Sequence, residues 1–428
     1  MIPKNYSAKF TEFSKNKLFQ SLDQPLQVFI QNTGESYGLT FQELNQLTEI
    51  AVDYHMWNEP SIEEKWNQIE PLFLSKNGSK KKAILGKIKQ DWVSLKENPS
   101  TYENNAPKVK SIVRKVKNHT EDHDIFGLCP VASEKTVCCN LKTIDAIQGC
   151  GLGCSYCSIQ TFYEDGAIGI EANLSEKLDN IKLDPNKNYH IGSGQSSDSL
   201  AMGNRNGVLD AQLDFARKNP NIILEFKTKS KNIDYFLSVA LPPNIMVCWS
   251  INPQTIINNE EHFTASLDQR LNAARQLSNK GVIVGFHFHP IVYYEGFEKD
   301  YTEVVQTILS TFSSNEIGMI SLGTLTFIKP AIKSLRSLGI PSKVLQIPMV
   351  NAAGKFSYSM EIKEKIFSTV WNAFTPWHDN VFFYFCMEDE KLWNSVMGKC
   401  YNSNDEFEDA LFSSVTGKMT SQYASLSG

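Results

Sequence analysis

Three cysteines crowd into Gly149-Cys150-Gly-Leu-Gly-Cys154-Ser-Tyr156-Cys157, with the spacing C-x3-C-x2-C. The whole chain has nine cysteines in 428 residues, an odd and thin complement that does not frame a secreted disulfide scaffold. In a reducing compartment such a cluster points to metal binding rather than to cross-links. Three thiolates are one short of a closed zinc or iron–sulfur site. A [4Fe–4S] cube held by three cysteines leaves one iron open, and the amino and carboxylate groups of S-adenosylmethionine can chelate it. An electron from the cluster can then break the sulfonium bond and release a 5′-deoxyadenosyl radical. The alternative is a structural zinc site with Cys138, Cys139 or a distant histidine as fourth ligand. Gly149, Gly151 and Gly153 let the backbone wrap closely around a bulky group.

The elements that must position this loop are legible from residue 143 onward, where short apolar runs alternate with amphipathic helices. The runs are Thr143–Gln148, Tyr189–Gly192, Ile222–Thr228, Ile245–Ser250, Val282–His287 and Met319–Leu322. Nearly continuous apolar strands between helices predict parallel strands buried on both faces. One helix carries a capping box, Ser266-Leu-Asp-Gln269, followed by Leu267, Leu271, Ala274 and Leu277 on one face. The fold class is therefore α/β, and six βα units in a row predict a partial (β/α)6 barrel with its chemistry at the C-terminal strand ends. The cysteine loop directly follows the first predicted strand, at that end. Lys343–Pro348 and Val381–Cys386 are expected to extend the sheet.

Residues 1–75 read as helical, with Leu44, Leu47, Ile50, Ala51 and Tyr54 at helical spacing and Trp57 and Trp66 adding bulk. The expected organisation is a helical, basic-ended region over 1–118, the barrel over 119–340 and a C-terminal α/β extension packed on it over 341–428. Net charge is −5, which argues against a protein that coats nucleic acid. Between Ser75 and His119, however, twelve Lys or Arg face only Asp91, Glu97 and Glu103, a local balance of +9. This segment reads either as a solvated basic helix or as a phosphate-contacting patch. No apolar run reaches the roughly 18 residues of a membrane span, and the N-terminus lacks a signal-peptide core, so a cytoplasmic protein is expected.

Other stretches narrow the reading. They are Gly194-Gln195-Ser196-Ser197-Asp198, Glu225-Phe-Lys227-Thr-Lys229, Trp249-Ser250-Ile-Asn252-Pro253 and Gly285-Phe-His287-Phe-His289-Pro290. Together with the cysteine loop, their order resembles the spore photoproduct lyase family of the radical S-adenosylmethionine superfamily, often labelled DNA repair photolyase-like. The resemblance spans roughly residues 140–400. It implies a lyase-like enzyme that cleaves a carbon–carbon bond to reverse a UV-induced thymine adduct in DNA. It also implies that Cys150, Cys154 and Cys157 bind a [4Fe–4S] cluster, and that Ser197, Lys229 and Ser250 contact S-adenosylmethionine. Lys229 at a strand end suits the methionine carboxylate.

The departures from the family pattern matter as much. The family places a hydrogen-donating cysteine just before its Ser-Ser-Asp run, where this chain has Gln195, and an amide N–H bond is far too strong for that role. A tyrosine follows the last cluster cysteine in the family, whereas Ser158 follows Cys157 here, which leaves Tyr156 as what remains of that relay. Cys248 is the expected substitute thiol, sharing a strand face with Ser250 by alternation; a buried apolar role is its alternative. His289, with His287 two residues before it, is expected in substrate recognition or proton transfer, against the reading of a satisfied core histidine. Cys129, Cys138 and Cys139 read as structural, a second metal site being the alternative.

Three whole-protein readings follow from these residues. The first is a radical enzyme acting on UV-damaged DNA, fed by an electron donor such as flavodoxin or ferredoxin. The second is the same chemistry on a peptide or small metabolite. The third is a non-catalytic nucleic-acid-binding or redox-sensing protein with a structural iron–sulfur cluster.

Overall fold

In the computed structural model of the chain, residues 6–73, 79–102, 109, 114–120, 124–129, 136–158, 167–194, 196–352 and 354–427 are described. The chain divides into two units, one of Met1–Val109, Tyr293–Glu295 and Thr326–Tyr358, the other of Lys110–Val292, Gly296–Leu325 and Ser359–Gly428.

The second unit is built on the apolar runs. Their residues are buried on both faces and form the parallel strands of a curled half-barrel. In chain order these are β1 (Phe126–Leu128), β2 (Lys142–Ile144), β3 (Tyr189–Ser193), β4 (Ile222–Thr228), β5 (Ile245–Ser250), β6 (Ile283–Ile291), β7 (Ile317–Thr324) and β8 (Phe382–Phe385). They lie side by side in the order β8-β7-β6-β5-β4-β3-β2-β1. Every pair is parallel except β1 with β2. The helix Leu267–Asn279 starts at the expected capping box: Gln269 N donates to Ser266 Oγ at 3.3 Å and Ser266 N to Gln269 Oε1 at 3.1 Å.

Two expected strands differ. Thr143–Gln148 ends as a barrel strand at Ile144, although Asp145 N still bonds Ile125 O at 2.8 Å in register with the β1–β2 pairing. Ile147–Gln148 then joins a separate small sheet with Ile168–Glu171 and Val116–His119. Lys343–Pro348, in the first unit, is not a strand. Ser342 Oγ accepts from Val344 N at 3.2 Å and Gln346 N bonds Lys343 O at 2.9 Å, so the segment turns, and the strand Met349–Ala352 begins only beyond it. Val381–Cys386 does extend the sheet, as β8 beside β7.

The first unit is helical over Tyr6–Phe13, Lys17–Gln20, Gln24–Tyr37, Phe41–Met56, Ile62–Ile69 and Ser79–Glu97. Leu44, Leu47, Ile50, Ala51 and Tyr54 are buried on one helix, with Trp57 and Trp66. Asp53, fully buried there, accepts Arg336 Nε at 2.7 Å, Arg336 Nη2 at 2.8 Å and Trp92 Nε1 at 2.9 Å. Stripping one partner from such a buried pair costs about 3–5 kcal/mol, so this contact ties residues 326–358 to the N-terminal helices. The lysines of Ser79–Glu97 are largely spoken for. Lys80 pairs with Glu70, Lys81 with Glu43 and Lys87 with Asp91, and Lys96 lies 3.3 Å from the Trp92 ring centroid. The rest of the basic segment includes residues 103–108 and 110–113, which lie outside the described residues. No helix among the described residues is long and apolar enough to cross a membrane.

Candidate metal centre

The cysteine loop leaves the short strand Ile147–Gln148 and is strapped to residues 260–263 by its backbone. Ser155 N donates to Glu260 O at 2.8 Å, Phe263 N to Leu152 O at 3.1 Å, and Cys154 forms an antiparallel bridge with Glu261. Two of its glycines are required by this path. Gly149 has φ 82° and a Cβ there would meet Ala167 O at 2.8 Å; Gly153 has φ 62° and a Cβ would meet the Phe263 ring at 2.7 Å. Cys154 is buried, while Cys150 and Cys157 are half-buried. Burial pushes the Cys150 thiol up to about 12 and raises the Cys154 thiol well above its ordinary value, so a metal must displace their protons to bind.

Behind the loop stands Glu261, a residue that sequence reasoning missed. Its carboxylate is fully buried and accepts from Lys229 Nζ at 3.1 Å, Asn252 Nδ2 at 2.8 Å, Arg270 Nη2 at 2.5 Å and Tyr156 Oη. Burial acts to raise this carboxyl, but Arg270 and Lys229 outweigh it and hold it far below the usual carboxylate range. Arg270 is itself fully buried and satisfied, with Nε on Ala265 O at 2.9 Å and Nη1 on Ser250 O at 2.8 Å. A signal for it was present: Arg270 falls in step with Ala274 and Leu277 on the apolar face of its helix.

Tyr156, Lys229 and the cysteine loop thus converge on one carboxylate, and Ser250 joins through its carbonyl. Ser197 is brought in by its neighbour Asp198, whose carboxylate accepts Lys229 N at 2.7 Å, Thr228 Oγ1 at 2.7 Å and Ala201 N at 2.8 Å. This clamp fixes the loop after β3 against the end of β4, and Gly149 N bonds Ser196 O at 3.1 Å to tie in the cysteine loop. Ser197 Oγ is buried without a hydrogen-bond partner among the described residues, the state of a group that serves a ligand. Gln195 lies outside the described residues.

Cys248 and His289 lie elsewhere, inside the barrel. A hydrogen-bonded chain crosses it: His190 Nε2 to Glu225 Oε2 at 2.8 Å, Glu225 Oε1 to His287 Nε2 at 2.5 Å, His287 Nδ1 to Ser321 Oγ, and Ser321 Oγ to His289 Nε2 at 3.1 Å. Lys227 Nζ ends it, 3.4 Å from His289 Nδ1. Burial, with Lys227 nearby, lowers His287 to about 4. An unfolded chain protonates this histidine near its ordinary value of 6.5, so between that pH and about 4 the unfolded state binds the extra proton. Stability at this site is therefore expected to fall by about 3 kcal/mol as pH drops through that window. Urea midpoints at pH 7, 5.5 and 4.5 measure the slope, and His287→Asn should flatten it.

Cys248 is fully buried. A different thiol reaches the C-terminal strand ends: Cys386, half-buried just after β8, with N bonded to Leu322 O at 2.8 Å. Burial pushes its thiol up to about 12 against the pull of Lys227, with Cys129 and Cys138 also near it. The backbone explains the gathering. Val137 bridges to Glu388 and Cys129 N bonds Leu141 O at 2.9 Å, so the connection between β1 and β2 meets the segment that follows β8. Cys138 and Cys139 share a thiol hydrogen bond there, which lowers Cys138 to about 6.

A curled, mostly parallel half-barrel with a three-cysteine loop soon after β2, its first parallel strand, is similar in fold to barrels of the radical S-adenosylmethionine type. Within that class the barrel is spore photoproduct lyase-like: residues 139–347 match the family model described as spore photoproduct lyase. A spore photoproduct lyase of Clostridium acetobutylicum is 27% identical over 177 residues, covering 40% of this chain and 52% of the relative. One of Bacillus subtilis is 25% identical over 165 residues, covering 37% and 48%. The chain thus matches about half the length of these curated relatives. Among solved structures, a spore photoproduct lyase complexed with dinucleoside spore photoproduct superposes with a TM-score of 0.55 at 21% identity, covering 63% of this chain and 82% of that one. A variant with bound AdoMet and the same dinucleoside gives 0.54 at 22% identity, with the same coverage.

Proposed function

We propose that this chain is a radical S-adenosylmethionine enzyme of the lyase type, acting on UV-damaged DNA. The observation that carries the reading is the cysteine loop at the C-terminal end of a parallel half-barrel whose sequence matches the lyase family. The residues fit the group the family implies: three thiols on one tightly wrapped loop, and beside it the orphaned Ser197 hydroxyl. Cys150, Cys154 and Cys157 would hold a [4Fe–4S] cluster, and Ser197, Lys229 and Ser250 would contact S-adenosylmethionine. When bound, the pair supplies one-electron cleavage of the sulfonium bond and with it a 5′-deoxyadenosyl radical.

The protein's own residues do the rest. Glu261 sets the height of the loop through Tyr156 and shares Lys229 with the incoming carboxylate. Cys386, in place of Cys248, returns a hydrogen atom to the substrate carbon: it follows β8 at the strand ends, is half-buried where Cys248 is fully buried, and is protonated at neutral pH, so its S–H bond is intact. The S–H bond breaks as the C–H bond forms. The resulting thiyl is restored by a proton and one electron from the low-potential donor, of the flavodoxin or ferredoxin kind, that also reduces the cluster. Such a donor fits a cytoplasmic setting.

A second reading, radical chemistry on a peptide or metabolite, is favoured by the commitment of Lys80, Lys81 and Lys87 to internal ion pairs. The yield of 5′-deoxyadenosine from anaerobically reconstituted protein, with reductant and S-adenosylmethionine, separates the two. Stimulation by irradiated but not intact DNA, weakening steeply with salt, is the expected result. Turnover indifferent to DNA would move the substrate to the second reading, and none with an intact cluster would overturn both.

A further inference from the structure

We propose that Glu225, Cys248 and His287 form a second metal site inside the barrel, one that takes a single divalent transition-metal ion, zinc foremost. A donor atom from each of the first three lies within 4.8 Å of the others, and all three residues are buried. His190 stands behind them as an outer partner of the carboxylate, its Nε2 2.8 Å from Glu225 Oε2, while His287 Nε2 lies 2.5 Å from Oε1. The four residues come from four adjacent parallel strands, β3 to β6, so the sheet itself sets their spacing. Gly285 on β6 makes room, since a Cβ there would lie 2.7 Å from Cys248 Sγ.

One feature points to a ligand rather than to a plain hydrogen-bonded core. The far nitrogen of His287 is held by Ser321 Oγ, the arrangement by which an outer partner aims an imidazole at a metal. The charges also balance. A buried carboxylate is costly unless paired, and the groups that bond Glu225 from within the set are imidazoles rather than permanent cations. Lys227 turns its Nζ to His289 instead. A divalent ion would bind as Cys248 loses its thiol proton to solvent, one S–H bond exchanged for one metal–sulfur bond. Dication, thiolate and carboxylate then sum to zero, which a low-dielectric barrel interior accepts. An imidazole, a thiolate and a carboxylate are nitrogen, sulfur and oxygen donors that suit zinc, as three protein ligands of a site whose fourth position is open.

The proposal does not depend on radical chemistry, and its test uses neither S-adenosylmethionine nor a substrate. The full chain carrying Cys150→Ala, Cys154→Ala and Cys157→Ala is titrated with Co2+ alone and followed by visible and near-ultraviolet absorbance. One equivalent should bind with tetrahedral ligand-field bands and a thiolate-to-metal charge-transfer band. Cys248→Ser, nearly isosteric and checked for fold by circular dichroism, should lose the charge-transfer band. Ser321→Ala should weaken binding about 10- to 100-fold through His287. No cobalt uptake by the folded chain, or uptake whose spectrum is unchanged in Cys248→Ser and Glu225→Gln, would overturn the site.

Discussion

Glu261→Ala should destabilise the protein by about 3–5 kcal/mol and leave it unable to retain iron. The stability loss follows from what remains behind. Arg270 is fully buried and Lys229 largely so, and each loses the anion that compensates it. Removing one partner of a buried pair costs more than the pair itself contributes, because an unpaired charge stays in low dielectric. The iron loss follows from geometry. Glu261 bonds Tyr156, one residue from Cys157, and its backbone bridges Cys154. Denaturant midpoints and iron per chain after anaerobic reconstitution measure the two effects. Glu261→Gln separates them: it keeps a hydrogen-bonding oxygen for Tyr156 while removing the charge, so it should retain more iron than alanine at a similar stability cost. If Glu261→Ala is destabilised yet binds iron fully, the residue is a core ion pair and not a mount for the loop.

What could be read in the sequence, and what could not, divides by the range of the interaction. The cysteine spacing, the apolar runs of β4 and β5 and the capping box at Ser266 are local patterns, and local patterns survive into structure because backbone geometry alone produces them. Glu261 stands 105 positions from Tyr156, and nothing near it marks a carboxylate destined for full burial. Only its partner Arg270, an arginine in register with the apolar face of a helix, hints that an anion must meet it. Lys343–Pro348 misleads for the opposite reason: its apolar residues are buried, but Ser342 bends the backbone before any ladder can form. The expected strand Thr143–Gln148 is divided between two sheets, since Ile147–Gln148 pairs with Ile168–Glu171 instead of continuing the barrel.

The thiols show the same division. Cys129, Cys138 and Cys139 are close in sequence and lack a fourth ligand's spacing, so they read as structural. Cys386 enters their neighbourhood only because the connection between β1 and β2 bridges, through Val137, to Glu388 just after β8. Cys248 was legible as a thiol on the right strand. Alternation alone could not tell that its position falls in the buried interior, beside Glu225, rather than at the open strand ends.

That difference in depth yields the second large effect. Cys386→Ala should leave 5′-deoxyadenosine formation within a few-fold of wild type, because the thiol touches neither the cysteine loop nor the Glu261 hub, while hydrogen-returned product falls to background. Cys248→Ala should not reproduce this uncoupling, since a fully buried thiol cannot approach a substrate carbon. The measurement is the ratio of repaired dinucleoside to 5′-deoxyadenosine, with dinucleoside spore photoproduct as the substrate offered. In deuterated buffer the wild-type product should carry deuterium at the repaired carbon, because a thiol exchanges with solvent before each turnover; Cys386→Ala should carry none above background. The protonated state matters here. A thiolate has no hydrogen atom to give, and burial keeps Cys386 protonated well above neutral pH despite the nearby Lys227 ammonium. Coupling should therefore stay flat from pH 7 to pH 9, where an exposed cysteine of ordinary pKa would already have begun to lose it. Coupled product at wild-type ratio in Cys386→Ala would assign the hydrogen donor elsewhere and leave Cys386 as a wall of the barrel.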